Sequence, residues 1–269
     1  MSDSLGLGKA AKAVTDLVKP VYHDLAQPTV REVGMFAGES VRAILLPIRK
    51  AIDGYTEVVE SLSEKVSQKL RVIPAERFAS PPANVAGPIL EAVRFVPLES
   101  PLHDLYANLL AKSMDAATAS SAHPAFVAII NQLTPDEARI LAFLSHGVDV
   151  PILSVTDEDP ERNPATGRTW TTVLRNFTLV GADAGCTAPH LGTAYLDNLA
   201  RLGVLEADST LQLFNPPAYE RLESAAEVIA AKAAIESREG HDAAFHRSFF
   251  GLTDFGKLLL KASIEPPAP

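Results

Sequence analysis

Cross-linking, membrane-spanning length and basic excess are all missing from this sequence. Cys186 is the single cysteine in 269 residues, so no intramolecular disulfide forms. The start Met1-Ser2-Asp3-Ser4 lacks the basic residues and apolar run of a secretory signal, and a cytoplasmic location is expected. No stretch approaches the roughly 18 uncharged apolar residues of a transmembrane helix. The nearest, residues 30–52, is interrupted by Arg31, Glu32, Glu39, Arg42, Arg49 and Lys50. Its amphipathic character fits peripheral membrane contact instead. The formal charge is −9, with residues 1–133 near balance and most of the excess acid in residues 134–269. Neutralising phosphates supplies most non-specific nucleic-acid affinity, so the acidic half is poorly suited to DNA.

Catalytic patterns are equally scarce. The seven histidines form no HExxH or HxH pair, which leaves no convergent metal ligands in the sequence. Gly251 to Lys257 has the GxxxxGK spacing of a phosphate loop, but Leu258 stands where a magnesium-binding hydroxyl is required and Asp254 would repel phosphate. The plainer expectation is that Thr253 caps a helix whose Gly256 permits close packing. Cys186 near His190 has no orienting or oxyanion group beside it and reads as a small buried residue. No catalytic residue, cofactor, metal ligand or small-molecule substrate is assigned, and the chain is not expected to be an enzyme.

What is present is a foldable composition, 47% hydrophobic and 21% charged, which excludes wholesale disorder. Val41, Leu45, Ile48, Ile52, Tyr55, Val59, Leu62 and Val66 form a heptad-like seam that calls for a partner helix, within the chain or on another copy. Pro47 predicts a kink in it. Pro74, Pro81, Pro82 and Pro88 predict an extended drape, with prolines standing ahead of helices and not inside them. Ser100-Pro101, His123-Pro124 and Thr134-Pro135-Asp136-Glu137 predict helix starts, the last with capping-box spacing. Leu102, Leu105, Tyr106, Leu109 and Leu110 share one face of the first of these helices, with His103 and Asp104 read as a capping and surface pair.

Beyond Gly147, Val150 to Val155 and Thr169 to Val180 predict strands flanking an acidic turn from Asp157 to Gly167. A helix from Pro189, carrying Leu191, Tyr195, Leu196, Leu199 and Leu202 on one side, stops at Gly203. Val204 to Glu206 and Leu211 to Phe214 resemble short strands across a turn. A continuous Ala-rich helix is expected from about Pro217 to Ser237, with Tyr219, Leu222, Ala226, Ile229 and Ala233 in one stripe. A strand from Phe245 to Gly251 and a helix from Asp254 to Ile264 follow. The expected architecture is mostly α with a small β component. It comprises N-terminal helices (1–70), a proline-rich segment with short helices (71–133) and a winged-helix-like domain (134–269) whose wing contains an inserted helix.

The strings KLRVIPAERFASPPANVAGPILEAVRF, LHDLYANLLAKSMD, AHPAFVAIINQLTPDEARIL, YLDNLARLGVLE and LTDFGKLLLKA occur in that order. Together they resemble the abortive-infection alpha (Abi-alpha) family of bacterial proteins over roughly residues 40–264. The resemblance implies a role in phage resistance and brings no catalytic residues with it. Glu76, Arg77, Arg94, Asn108 and His123 form the candidate partner surface, for a protein or a second copy. Glu76 and Arg77 are also read as ion-pairing residues and Asn108 as bonding a neighbouring backbone. Arg162, Arg168, Trp170 and Arg175 form a candidate nucleic-acid edge, disfavoured by adjacent Asp157, Glu158, Asp159 and Glu161. Binding or self-association is the expected mode of action, with a DNA-binding regulator and a membrane-associating effector as rivals.

Overall fold

The computed structural model describes residues 56–158, 170–208 and 213–265. The seam before Thr56, the expected kink at Pro47 and the stretch 30–52 lie outside the described residues. The described chain is mostly helical with one small antiparallel sheet. It divides into two compact units: one holds the described residues up to Ala138 and those from Leu258 on, the other those between Arg139 and Lys257.

In the first unit, α1 (Thr56–Leu70) buries Leu62, Val66 and Leu70, spaced four apart on one face. Glu57 in its first turn and Lys69 in its last complement the helix dipole. Helix α2 (Ala83–Val93) corrects the expectation about prolines, because Pro88 lies inside it. The ring removes one backbone donor. Val85, Ile89, Leu90 and Val93 are buried around it, and their packing offsets the lost bond. The extended drape therefore ends at Pro82, ahead of the helix.

Helix α3 (Leu102–Ser113) starts from Ser100-Pro101, and Ser100 Oγ accepts a 3.3 Å hydrogen bond from the Leu102 amide. Its expected apolar face is buried, but so is almost everything else. His103, Asn108, Lys112 and Ser113 are enclosed and Asp104 alone is exposed. His103 is thus corrected from a surface residue to a fully buried one. Its Nε2 lies 3.0 Å from the Val96 carbonyl oxygen, a bond that offsets part of the cost of enclosing the ring, while Nδ1 is buried without a hydrogen-bond partner. Helices α4 (Ala125–Ile130) and α5 (Pro135–Leu144) begin where expected. The Thr134 amide donates to Glu137 Oε2 at 2.6 Å and the Glu137 amide donates to Thr134 Oγ1 at 3.2 Å, completing the capping box.

The second unit contains β1 (Val150–Glu158), β2 (Trp170–Phe177), α6 (Val180–Asp183), α7 (Gly192–Arg201), β3 (Leu205–Asp208), α8 (Pro216–Glu223), α9 (Ala226–Glu236) and β4 (Asp242–Leu252). The strands form one antiparallel sheet in the order β2-β1-β4-β3. Asp157 and Glu158 belong to β1 and not to a turn, because both pair with β4 and with β2. Strand β2 stops at Phe177, since Val180 opens α6. Tyr195, Leu196 and Leu199 of α7 are buried, and Gly203 ends that helix with φ 72°, a conformation costly for any residue with a Cβ. Strand β3 pairs with β4, Leu205 opposite Leu252; of the returning strand expected over 211–214, residues 211 and 212 lie outside the described residues, and Leu213 and Phe214 belong to no strand.

The expected long helix is two helices. Ala225 is extended (φ −69°, ψ 144°), while Ser224 Oγ bonds back to the Glu220 carbonyl at 2.8 Å. The break resets the helical phase. Tyr219 and Leu222 remain buried, but Ala226, Ile229 and Ala233 are exposed and Val228 and Ile235 take the inner positions. These four inner residues pack on Leu153 and Val155 of β1 to form the core on that face of the sheet. Tyr219 also donates its hydroxyl to the Ser248 carbonyl of β4 at 2.8 Å.

Helix α10 (Asp254–Ser263) starts as the phosphate-loop alternative was read. Thr253 Oγ1 accepts from the Gly256 amide at 2.8 Å, and a Cβ on Gly256 would collide with the Val204 carbonyl.

Candidate functional site

The proline-rich segment and the loop after α3 are joined by a charge pair. Arg77 Nε and Nη2 donate to the two carboxylate oxygens of Asp115 at 3.0 and 2.6 Å, a bidentate arrangement. The Asp115 side chain has no solvent exposure, and its Oδ1 also accepts from the Ala117 amide at 3.0 Å. Two backbone bonds flank the pair: Ala79 N to Met114 O and Ala116 N to Arg77 O, both 2.8 Å. The Arg77 hydrogen bond holds the Asp115 carboxyl below the usual carboxylate range, against the opposing effect of burial.

Asn108 and Lys112, one turn apart on α3, both reach the C-terminal carbonyls of α10. Asn108 Nδ2 donates to Ser263 O at 2.9 Å and to Ile264 O at 3.2 Å, and Lys112 Nζ donates to Lys261 O. Helix C-termini leave their last carbonyls unpaired, and a cation there also suits the helix dipole. These side chains are therefore a polar clamp. Burial lowers the Lys112 pKa, and the nearby Glu265 charge opposes that effect. The Asn108 bonds reach 155 and 156 residues along the chain, where a neighbouring backbone was expected.

The remaining candidates are dispersed. Glu76 is exposed in a short 3-10 turn (Ala75–Arg77). Arg94 is half-buried, bonded to Glu91 at 2.9 Å, with its guanidinium 5.7 Å from the Phe95 ring centre. His123 is exposed, and its Nδ1 accepts from the Ala125 amide at 3.1 Å at the start of α4. Asn108 faces the interior and Arg77 is half-buried. On β2, Trp170 and Arg175 are exposed, while Arg162 and Arg168 lie outside the described residues. Cys186 is half-buried and not fully enclosed.

Sequence reasoning missed Asp157 as an organising group because it sits in an acidic string. Its buried carboxylate accepts from Arg238 Nη2 at 2.6 Å and from His241 Nδ1 at 2.8 Å. Burial pushes its pKa up, but the His241 hydrogen bond and the charges of Arg238 and His241 together hold it below the usual range. Like Asp115, it is kept ionised, which suits an anchor and not a general acid. Among the described residues no group of three His, Cys, Asp or Glu side chains is placed to hold a metal, and no helix is long and apolar enough to cross a membrane.

The described chain is thus a mostly helical protein with a small antiparallel sheet, in which motif side chains tie distant segments together. Residues 54–263 match the family described as abortive infection alpha, and the chain belongs to it. It is also similar to the solved structure of an uncharacterized protein from the hydrocarbon-degrading marine bacterium Alcanivorax borkumensis SK2. That similarity has 21% identity and a TM-score of 0.36, and covers 56% of this chain and 96% of that one. No curated protein matches the chain.

Proposed function

We propose that the protein acts in abortive-infection defence against bacteriophage, in the bacterial cytoplasm, by binding a protein partner or another copy of itself, without catalysis. The supporting observation is how the polar positions of the family strings are used. Arg77 is bonded to Asp115, Asn108 to the end of α10 and Thr134 to Glu137. These residues stabilise a scaffold and leave its exterior for recognition. Cells producing the protein are expected to lower phage plating efficiency, and a substitution at an exposed candidate position such as Glu76→Ala is expected to weaken protection without changing the thermal melt. Purified protein with robust nucleotide or nucleic-acid hydrolysis, abolished by one point substitution, would overturn this reading.

The finer fold reading is a winged helix with an enlarged wing. Its support is the order α5, β1, β2, α6, α7, β3, β4, with α8 and α9 inserted between the paired strands β3 and β4. Protein contact suits this unit better than DNA contact. The Arg201 guanidinium on α7 is engaged with Asn198 Oδ1 at 2.8 Å, and Asp197 lies beside it. Tight DNA binding at low salt that falls steeply as salt rises would reverse that preference.

A further inference from the structure

The two faces of the sheet are unlike. Leu153 and Val155 of β1 pack with Tyr219, Leu222, Val228 and Ile235, so one face is covered by α8 and α9. Asp157 shares that face, and its carboxylate is held by Arg238 and His241. Side chains alternate along a strand, so Thr156 and Glu158 point to the other side. There Thr156 stands between Thr172 of β2 and Ala244 of β4, and Glu158 between Trp170 and Asp242. Residues directly opposite each other in antiparallel strands share a face. Trp170, Glu158 and Asp242 therefore form one row across three adjacent strands, about 10 Å wide.

This row works against the stability of the sheet. All three side chains are exposed, Trp170 by 52%. Glu158 faces Asp242 directly, and like charges so placed are destabilising. Neither carboxylate has a hydrogen-bond or ion-pair partner among the described residues, whereas Asp157, one residue earlier, has two cationic ones. Two uncompensated carboxylates beside an indole repel phosphate and suit a cation, which the negative face of the ring also attracts. Arginine answers both features. Its planar guanidinium stacks on an aromatic ring and bonds a carboxylate through paired N–H groups, where lysine offers a strongly hydrated point charge.

We propose that this row is where a protein partner inserts an arginine side chain, its guanidinium stacked on Trp170 and bonded to Glu158 and Asp242. Charge complementarity sets the occupant. A second copy is the poorer fit, because each chain carries a formal charge of −9. The inference rests on the partner-binding role proposed above and specifies the partner's chemistry at one place on the surface.

Trp170 is the one tryptophan, so its fluorescence in the full chain reports on the row directly. The probe is an end-blocked Gly-Arg-Gly-Arg-Gly peptide titrated at low salt. A saturable change in Trp170 emission is expected, weakening as salt rises. The double variant E158Q/D242N is expected to bind the peptide about tenfold or more weakly. It should nevertheless melt at or above the wild-type temperature, since two opposed like charges are gone. A purely structural role would not weaken binding while sparing the melt. The proposal is overturned by no saturable change, by an equal response to the matching lysine or citrulline peptide, or by unchanged affinity in the double variant. Phage plating measures the defence role independently, so the two readings fail separately.

Discussion

At the scale of single residues, buried polar groups do most of the distinctive work. Asp115 combines a bidentate Arg77 bond with a backbone amide and no solvent exposure. Its carboxyl pKa is depressed in the fold, so the stability it adds is present above the unfolded value of about 4 and is lost as pH falls through the folded value. A Tm measured against pH should fall in acid, and Asp115→Asn should lower Tm at neutral pH while flattening that acid dependence. Asn108→Ala removes the donor serving two carbonyls at the end of α10. The expected cost is about 1–3 kcal/mol, read by urea denaturation. None of these partners was legible in the sequence. Arg77 and Asp115 are 38 residues apart, and no periodicity connects them. Thr134 and Glu137 were legible because a capping box is complete within one turn.

Elements were legible in type more than in phase or pairing. The starts of α3, α4, α5 and α10 follow from Ser100, His123, Thr134 and Thr253, whose side chains act within a few residues of themselves. The break between α8 and α9 contains neither proline nor glycine, and only packing against β1 selects Val228 and Ile235 over Ile229 as inner residues. This phase is directly measurable. Val228→Ala should destabilise by about 2 kcal/mol through a cavity, whereas Ile229→Ala, at a site 55% exposed, should change stability by no more than about 0.5 kcal/mol. Gly256→Ala forces a Cβ into the Val204 carbonyl and should cost about 1–3 kcal/mol, with the loss visible as a lower urea midpoint.

For the molecule as a whole, the end of α10 returns to the first unit, where Leu259, Leu260 and Ala262 are buried and the Asn108–Lys112 clamp holds the final turn. Truncation before Leu258 should therefore expose the first unit's core, detected as increased hydrophobic-dye binding and faster proteolysis. The sequence alone determined the mostly helical class, the family and the helix caps, because these depend on composition, ordered strings and contacts spanning one turn. Tertiary structure alone decided that β1 lies between β2 and β4, that α3 is enclosed on nearly all sides and that Asn108 faces inward. Those outcomes depend on which distant backbone groups and apolar faces meet, and loop closure joins such partners without leaving a local pattern.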